Sequence, residues 1–175
     1  EAVEIKKEKK VVKEKNPKIL ELNNFTYQNK FTNINLELRN GEVLGLSGLL
    51  GSGTNEILRG LFGILNNKEG EIFLNNKKIE VNSPIDAVNY GFGYIPSDRK
   101  NEGLIQENSI KENSVLTIFK NLTKFGLFNS TKAENVTNEY IEKLQVKISN
   151  INDKVMNLSG GNQQKIVIAK WLAKN

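Results

Sequence analysis

Hydrophobic positions recur at strand spacing over much of the first half of this chain and at helical spacing from Ser109 onward. Ile19, Leu20 and Leu22 predict a short strand, and Ile34, Leu36 and Leu38 alternate with polar neighbours as a half-buried one. Asn40-Gly41 supplies the turn that ends it. Glu42 to Ser47 (EVLGLS) is a compact apolar run, the pattern of a strand covered on both faces in a parallel sheet. A Gly-rich loop follows, and then Asn55 to Phe62, with apolar residues at Ile57, Leu58, Leu61 and Phe62 and Gly63 as the stop, predicts a helix. Strand, Gly-rich loop and helix in that order open a phosphate-binding α/β unit.

Further along, Glu71 to Leu74 and Lys77 to Val81 flank Asn75-Asn76, which suits a β-hairpin. Ser83-Pro84 starts a short helix ending near Tyr90, with Ser as N-cap and Pro at the first helical position. Gly93 to Ile95 is a second buried-strand candidate. Helices are then expected over Ile110 to Phe119 and Lys132 to Leu144, joined by a polar loop at Asn129 to Thr131. This helical block, about residues 104 to 160, interrupts the α/β pattern as an inserted subdomain would. Residues 1 to 17 have few apolar positions and no alternation, so they read as a charged linker preceding a folded domain over 18 to 175.

Composition narrows the classes of function. The chain has 175 residues, enough for one cored domain, with 38% hydrophobic and 26% charged residues. No apolar run approaches the roughly 18 residues of a membrane span. The absence of Cys and His removes thiolate metal sites, the commonest metal ligand and the commonest general base, and fits a reducing, cytoplasmic setting. The net charge is +5, but the seven lysines and four glutamates of residues 1 to 18 account for +3 of it. A body carrying only +2 weakens a nucleic-acid-binding reading, because a phosphate backbone wants a basic stripe on the folded surface.

Two segments carry candidate chemistry. In Gly48-Leu49-Leu50-Gly51-Ser52-Gly53-Thr54-Asn55, the glycines let backbone N–H groups turn toward phosphate oxygens, with the next helix's N-terminus adding partial positive charge. The working pattern is G-x-x-x-x-G-K-[ST], whose Lys reaches the terminal phosphates and whose Ser or Thr holds Mg²⁺. Here Thr54 replaces the Lys and Asn55 the Ser or Thr, so the cradle remains without its cation. Alone, such a loop is read equally well as a tight connection. In Leu158-Ser159-Gly160-Gly161-Asn162-Gln163-Gln164-Lys165, Ser159 is placed to cap a helix whose glycines permit close approach of an anion. A plain N-cap on a core helix is the simpler reading of those residues by themselves.

LSGGNQQK, following the helical block and the Gly-rich loop, resembles the signature motif of ABC ATPases, and its NQQK resembles the ribose, galactose and xylose branch of carbohydrate importers. Gly45 to Gly63 and Gly93 to Asn113 are similar to the second of the two fused nucleotide-binding domains in that subunit, so the resemblance runs from about Lys18 to Asn175. It implies a P-loop ABC-type core with an antiparallel β-subdomain and an inserted helical subdomain, and ATP and Mg²⁺ as ligands. It also implies that Ser159, Gly160 and Gly161 complete the ATP site of a partner domain in trans, while the domain's own loop, with Thr54 continuing a decay common in the family, binds nucleotide weakly or not at all.

Other positions follow from the same resemblance. Ser97, with Asp98 beside it, stands where the family offers Gln or Glu to Mg²⁺ and water. Asn55 and Ser97 thus occupy the metal positions without forming a secure site. The adenine-stacking aromatic falls near Tyr27, with Phe31 the other candidate and a core role open for either; Arg99 and Lys100 read as a contact loop or a solvated turn. The expected partners are the first nucleotide-binding domain, a membrane-spanning permease touched through the helical block and the Ser97 to Gly103 loop, and, indirectly, a sugar-binding protein, at the cytoplasmic face of the membrane. The family's Asp-Glu strand and switch His do not occur before Asn175, so the expectation is a domain cut before its Walker B strand, inactive alone and marginally stable. A soluble ABC-like protein of DNA repair or translation and a non-binding structural module are the alternatives.

Overall fold

The computed structural model describes residues 16–174, so most of the expected linker lies outside the described residues. The chain divides into two compact units, Glu1–Gly93 and Tyr94–Asn175.

The first unit is built on a four-stranded antiparallel sheet of order β2-β1-β3-β4, with β1 Lys18–Tyr27, β2 Phe31–Arg39, β3 Glu69–Leu74 and β4 Lys77–Ile79. Leu22 lies opposite Leu36 on one side and Ile72 on the other, so one apolar row crosses three strands. β1 runs five residues beyond the stretch that alternation marks, because Asn24 takes a left-handed φ of 52° and the register shifts there, returning Phe25 to the buried face. At the β3–β4 turn, Asn75 and Asn76 both have positive φ, the geometry that a two-residue hairpin requires and that Asn tolerates. Helix α1, Thr54–Leu61, packs through Ile57 and Leu61, and Gly60 makes room for the Phe25 ring. Helix α2, Pro84–Asn89, starts as expected, with the Ser83 hydroxyl accepting from the Asp86 N–H.

One expectation for this unit fails. Glu42 to Ser47 and Gly93 to Ile95 carry no sheet pairing, and Val43 is 92% exposed. A strand covered on both faces is defined by its neighbours' hydrogen bonds, and among the described residues neither run has such a neighbour.

In the second unit, α3 (Ile110–Ser114), α4 (Ser130–Lys143) and α5 (Gly160–Leu172) surround an apolar core of Leu104, Ile110, Val146, Val155, Ile166 and Val167. A second cluster, of Val115, Ile118, Leu122 and Ala133, lies beside a 3₁₀ segment, Leu116–Leu122. The single helix expected over Ile110 to Phe119 is therefore two. The Ser114 hydroxyl donates back to the Ile110 carbonyl at 2.8 Å, and the Asn113 amide donates to the Ser109 carbonyl at 3.0 Å; such side-chain bonds compete with helix propagation. Asn129, expected in a loop, accepts from the Lys132 N–H and caps α4. Two short strands, β5 Thr123–Lys124 and β6 Leu127–Phe128, pair around Phe125-Gly126.

Asn113 is 1% exposed and holds the 105–109 loop: its Oδ1 accepts from the Ile105 N–H at 2.9 Å and its Nδ2 donates to the Ile105 carbonyl at 3.0 Å. Asn113→Ala should cost about 2 kcal/mol or more in urea unfolding, because buried backbone groups lose their partners; a loss under about 0.5 kcal/mol would show the loop held by other means. Gly53 has φ 92°, and a β-carbon there would stand 2.3 Å from the Lys30 carbonyl oxygen, whereas Gly51, at φ 83°, has open surroundings. Gly53→Ala should therefore destabilise by clearly more than the about 1–2 kcal/mol expected of Gly51→Ala from backbone conformation alone. Equal losses would remove the contact between this loop and the β1–β2 turn as a constraint.

Candidate functional site

The Gly-rich loop of the first unit leads directly into α1. Gly51 and Gly53 take left-handed conformations, the Ser52 N–H donates to the Leu49 carbonyl at 2.9 Å, and α1 begins at Thr54 without a side-chain cap. Gly48, Leu49, Leu50 and Gly51 are exposed, while Gly53 is buried against the backbone of Lys30. The first turn of α1 contains Thr54, Asn55 and Glu56, so the side chains nearest the helix start are neutral or negative. An anion at this helix end would meet the macrodipole's favourable field and the Glu56 carboxylate's unfavourable one.

The same packing separates the two aromatic candidates. Phe31 is 5% exposed and lies 5.2 Å from the Phe25 ring, as a core residue. Tyr27, at the end of β1, is half-buried, and its carbonyl accepts from the Lys30 N–H in the turn that meets Gly53.

The signature segment lies in the second unit. Ser159 occupies the N-cap position of α5, but its hydroxyl accepts no backbone N–H, which corrects the expectation of a side-chain cap. Instead, the Asn162 Nδ2 donates to the Ser159 Oγ at 3.2 Å. An oxygen that already accepts one bond keeps its own O–H free to donate outward. Asn162 is fixed in turn by Lys147, donating to its carbonyl and accepting from its N–H, each at 3.2 Å. Ser159 and Gly161 are exposed, so the helix start is reachable from outside, and its first turn contains no acidic residue. The N–H groups of Gly160, Gly161 and Asn162 thus point out of a helix end whose field favours an anion.

Behind this surface, Gln163 is 3% exposed and its Nε2 donates to the Val155 carbonyl at 3.2 Å, tying α5 to the 3₁₀ turn Val155–Asn157. Leu158 is half-buried against the apolar core, and Gln164 is half-buried on the helix. Lys165 donates to the Gln145 carbonyl at 2.8 Å, beyond the end of α4. These bonds orient α5 without using its N-terminal groups.

Ser97 is exposed. Asp98 turns its carboxylate onto its own loop, accepting from the N–H groups of Lys100 and Asn101 and from the Asn101 side chain at 2.7 Å. The Asn101 amide and these backbone donors hold the Asp98 carboxyl below the usual carboxylate range. Asn55 and Ser97 each offer one neutral side-chain oxygen, and among the described residues no group of three His, Cys, Asp or Glu side chains could hold a metal ion. At these two positions, where the resemblance expects Mg²⁺ ligands, neither residue supplies charge, so a metal there would depend on nucleotide phosphates.

Sequence reasoning left Arg99 open between a contact loop and a solvated turn, and did not single out Lys170. Arg99 is half-buried, with its guanidinium against Gly160, whereas Lys100 is exposed. Lys170 is 7% exposed and donates to the Gly103 carbonyl at 2.6 Å, and burial lowers its pKa. Both contacts join residues about 60 positions apart, beyond the reach of a local pattern.

The family description "ABC transporter" fits residues 31–175. The chain is 44% identical over 141 residues to the xylose import ATP-binding protein of Thermoanaerobacter pseudethanolicus, covering 80% of this chain and 28% of that protein. It is 43% identical over 155 residues to the ribose import ATP-binding protein of Clostridium tetani, covering 88% and 31%. The chain thus spans about a third of the length of these curated relatives. Among solved structures it is similar to a dimeric ATP-binding cassette bound to ADP and Pi, with a TM-score of 0.64 at 25% identity over 90% of this chain and 70% of that one. The cbiO1 protein of Clostridium perfringens, part of the ABC transporter complex cbiONQ, gives a TM-score of 0.63 at 21% identity, covering 90% and 62%. The fold is that of an ABC ATPase, and the chain belongs to the ABC transporter family.

Proposed function

We propose that this chain is the second ATP-binding cassette of a sugar-import ATPase subunit, and that its signature helix completes the ATP site of the first cassette. The observation that carries the reading is the start of α5, where an exposed Ser159 hydroxyl is free to donate, the first-turn N–H groups are uncapped, and no acidic side chain opposes an anion. The names of the relatives, xylose and ribose import ATP-binding proteins, support the sugar-import assignment.

In this reading Ser159, Gly160 and Gly161 approach the terminal phosphate of ATP held by the partner cassette. The charge that spreads over that phosphate's oxygens in the transition state is stabilised by donors already in place, which need no reorganisation. Asn162 positions the Ser159 hydroxyl. Mg²⁺ bound with the partner's ATP would neutralise phosphate charge there. The domain's own Gly-rich loop binds nucleotide weakly, because Thr54 gives no cation and Glu56 adds a negative charge to the first turn of α1. Tyr27 is the half-buried aromatic beside that loop and is the adenine platform of this weaker site.

Ser97, Asp98 and Lys100 form an exposed ridge, and with the helical block they are the surface offered to a membrane-spanning permease. In this reading attachment is peripheral, at the cytoplasmic face and through the permease; no helix among the described residues is long and apolar enough to cross a membrane. A sugar-binding protein then acts indirectly, across the membrane.

Two measurements test this reading. Ser159→Ala in the complete subunit assembled with its permease should lower ATP turnover by about 100-fold, the scale of a lost transition-state donor; full turnover would leave α5 a structural element only. Equilibrium titration of the present chain with ATP and Mg²⁺ should give a Kd near or above about 1 mM, and Thr54→Lys should tighten it. Micromolar affinity in the unaltered chain would overturn the assignment of a weak site.

A further inference from the structure

Arg99 is an unusual cation in this fold. Its guanidinium lies against the first residue of α5, so closely that a β-carbon on Gly160 would stand 2.5 Å from its Nη2. A positive group at a helix N-terminus meets the positive end of the macrodipole, and that arrangement is unfavourable on its own. Arg99 is also half-buried, and its Nε is fully buried without a hydrogen-bond partner. The adjacent Asp98 carboxylate attracts Arg99 through charge, but it accepts its hydrogen bonds from its own turn.

The position of Arg99 is nevertheless fixed. It opens the five-residue π-type turn Arg99–Gly103, whose far end is fastened to the same helix. Lys170 donates to the Gly103 carbonyl at 2.6 Å, and Gly103 packs so closely on Val167 that a β-carbon there would meet its side chain at 3.2 Å. The turn therefore runs alongside α5, anchored near the helix's C-terminal half and presenting a guanidinium at its N-terminal end. A half-buried guanidinium without a hydrogen-bonded carboxylate among the described residues and a helix start without a side-chain cap would both be satisfied by one anion.

We infer that Arg99 is a phosphate-contacting residue of the trans site: its guanidinium binds the terminal phosphate received by Ser159 and the α5 N-terminus. This deepens the reading given under Proposed function and rests on it. The planar fork offers two parallel N–H donors to two phosphate oxygens, and its charge counters the negative charge that those oxygens carry during transfer. Gly160 has a matching role, because any side chain there would displace the fork from the helix start.

The test uses the complete subunit assembled with its permease and compares Arg99→Lys, Arg99→Met, Lys77→Met and Ser159→Ala. Lys and Met both keep an aliphatic stem against α5 and differ in charge, so folding affects them alike. Arg99→Met should lower kcat by about 10-fold or more, Arg99→Lys should recover several-fold of that loss, and Lys77→Met, which removes an exposed charge on β4, should match the unaltered protein. Release of vanadate trapped with ADP should be faster in Arg99→Met than in Arg99→Lys. Equal kcat and equal vanadate release in Arg99→Lys and Arg99→Met would overturn the inference. If that equality appears while Ser159→Ala is inactive, the trans site stands without Arg99; if Ser159→Ala is itself fully active, the trans site fails and Arg99 with it.

Discussion

The unsatisfied start of α5 is the constraint on which the functional reading of this chain depends. A helix leaves its first N–H groups without intrahelical partners, and proteins ordinarily cover them with a side-chain cap or a nearby carboxylate. Three other helices here do so: Ser83 caps α2, Ser109 and Glu112 form a capping box on α3, and Asn129 caps α4. At α5 the residue suited to capping, Ser159, is turned to a different partner, Asn162, and the first turn carries no acid. The cost of leaving those groups open is modest on an exposed surface, and an incoming phosphate finds the donors already oriented.

The surrounding structure holds that end still without covering it. Asn162 grips the backbone of Lys147, Gln163 reaches the Val155 carbonyl, and Lys165 reaches that of Gln145, so α5 is braced by segments before it in sequence. Lys170 and Gly103 brace it on another side, at the expense of a desolvated ammonium whose pKa is lowered by burial. That ammonium satisfies a backbone carbonyl and faces no carboxylate in its titration, so it contributes position more than stability. The N-terminus of α1 is the opposite case: two left-handed glycines lead into it, while Thr54, Asn55 and Glu56 supply no cation. One chain thus presents two helix starts without a side-chain cap, only one of which has no acidic residue in its first turn.

Much of this was legible where a local rule suffices. The Ser83-Pro84 helix start, the Asn75-Asn76 turn and the span of α1 follow from capping, positive-φ tolerance and periodicity, and the structure has them where those rules place them. The position of Ser159 at the head of α5 was equally plain; the direction of its hydroxyl was not, because that depends on Asn162 and, through it, on Lys147. Glu42 to Ser47 reads as a strand from composition, yet strand identity comes from neighbours that a local window does not contain. Asn24 looks like a turn residue and instead carries β1 through a bulge to Phe25 and Tyr27. Arg99 was unreadable for the same reason as Lys170: each acquires its meaning from a contact with α5 far along the sequence.

The central claim concerns an atom-level neighbour, and vanadate photochemistry reports such neighbours directly. With the complete subunit and its permease trapped by ADP and vanadate, ultraviolet irradiation oxidises and cuts the backbone beside the bound vanadate, and mass spectrometry locates the cut. The account predicts cleavage at Ser159, made by vanadate held in the other cassette and retained when Thr54 and Asn55 of this chain's own loop are substituted. Efficient trapping with every cut confined to phosphate loops, and Ser159 intact, would contradict it.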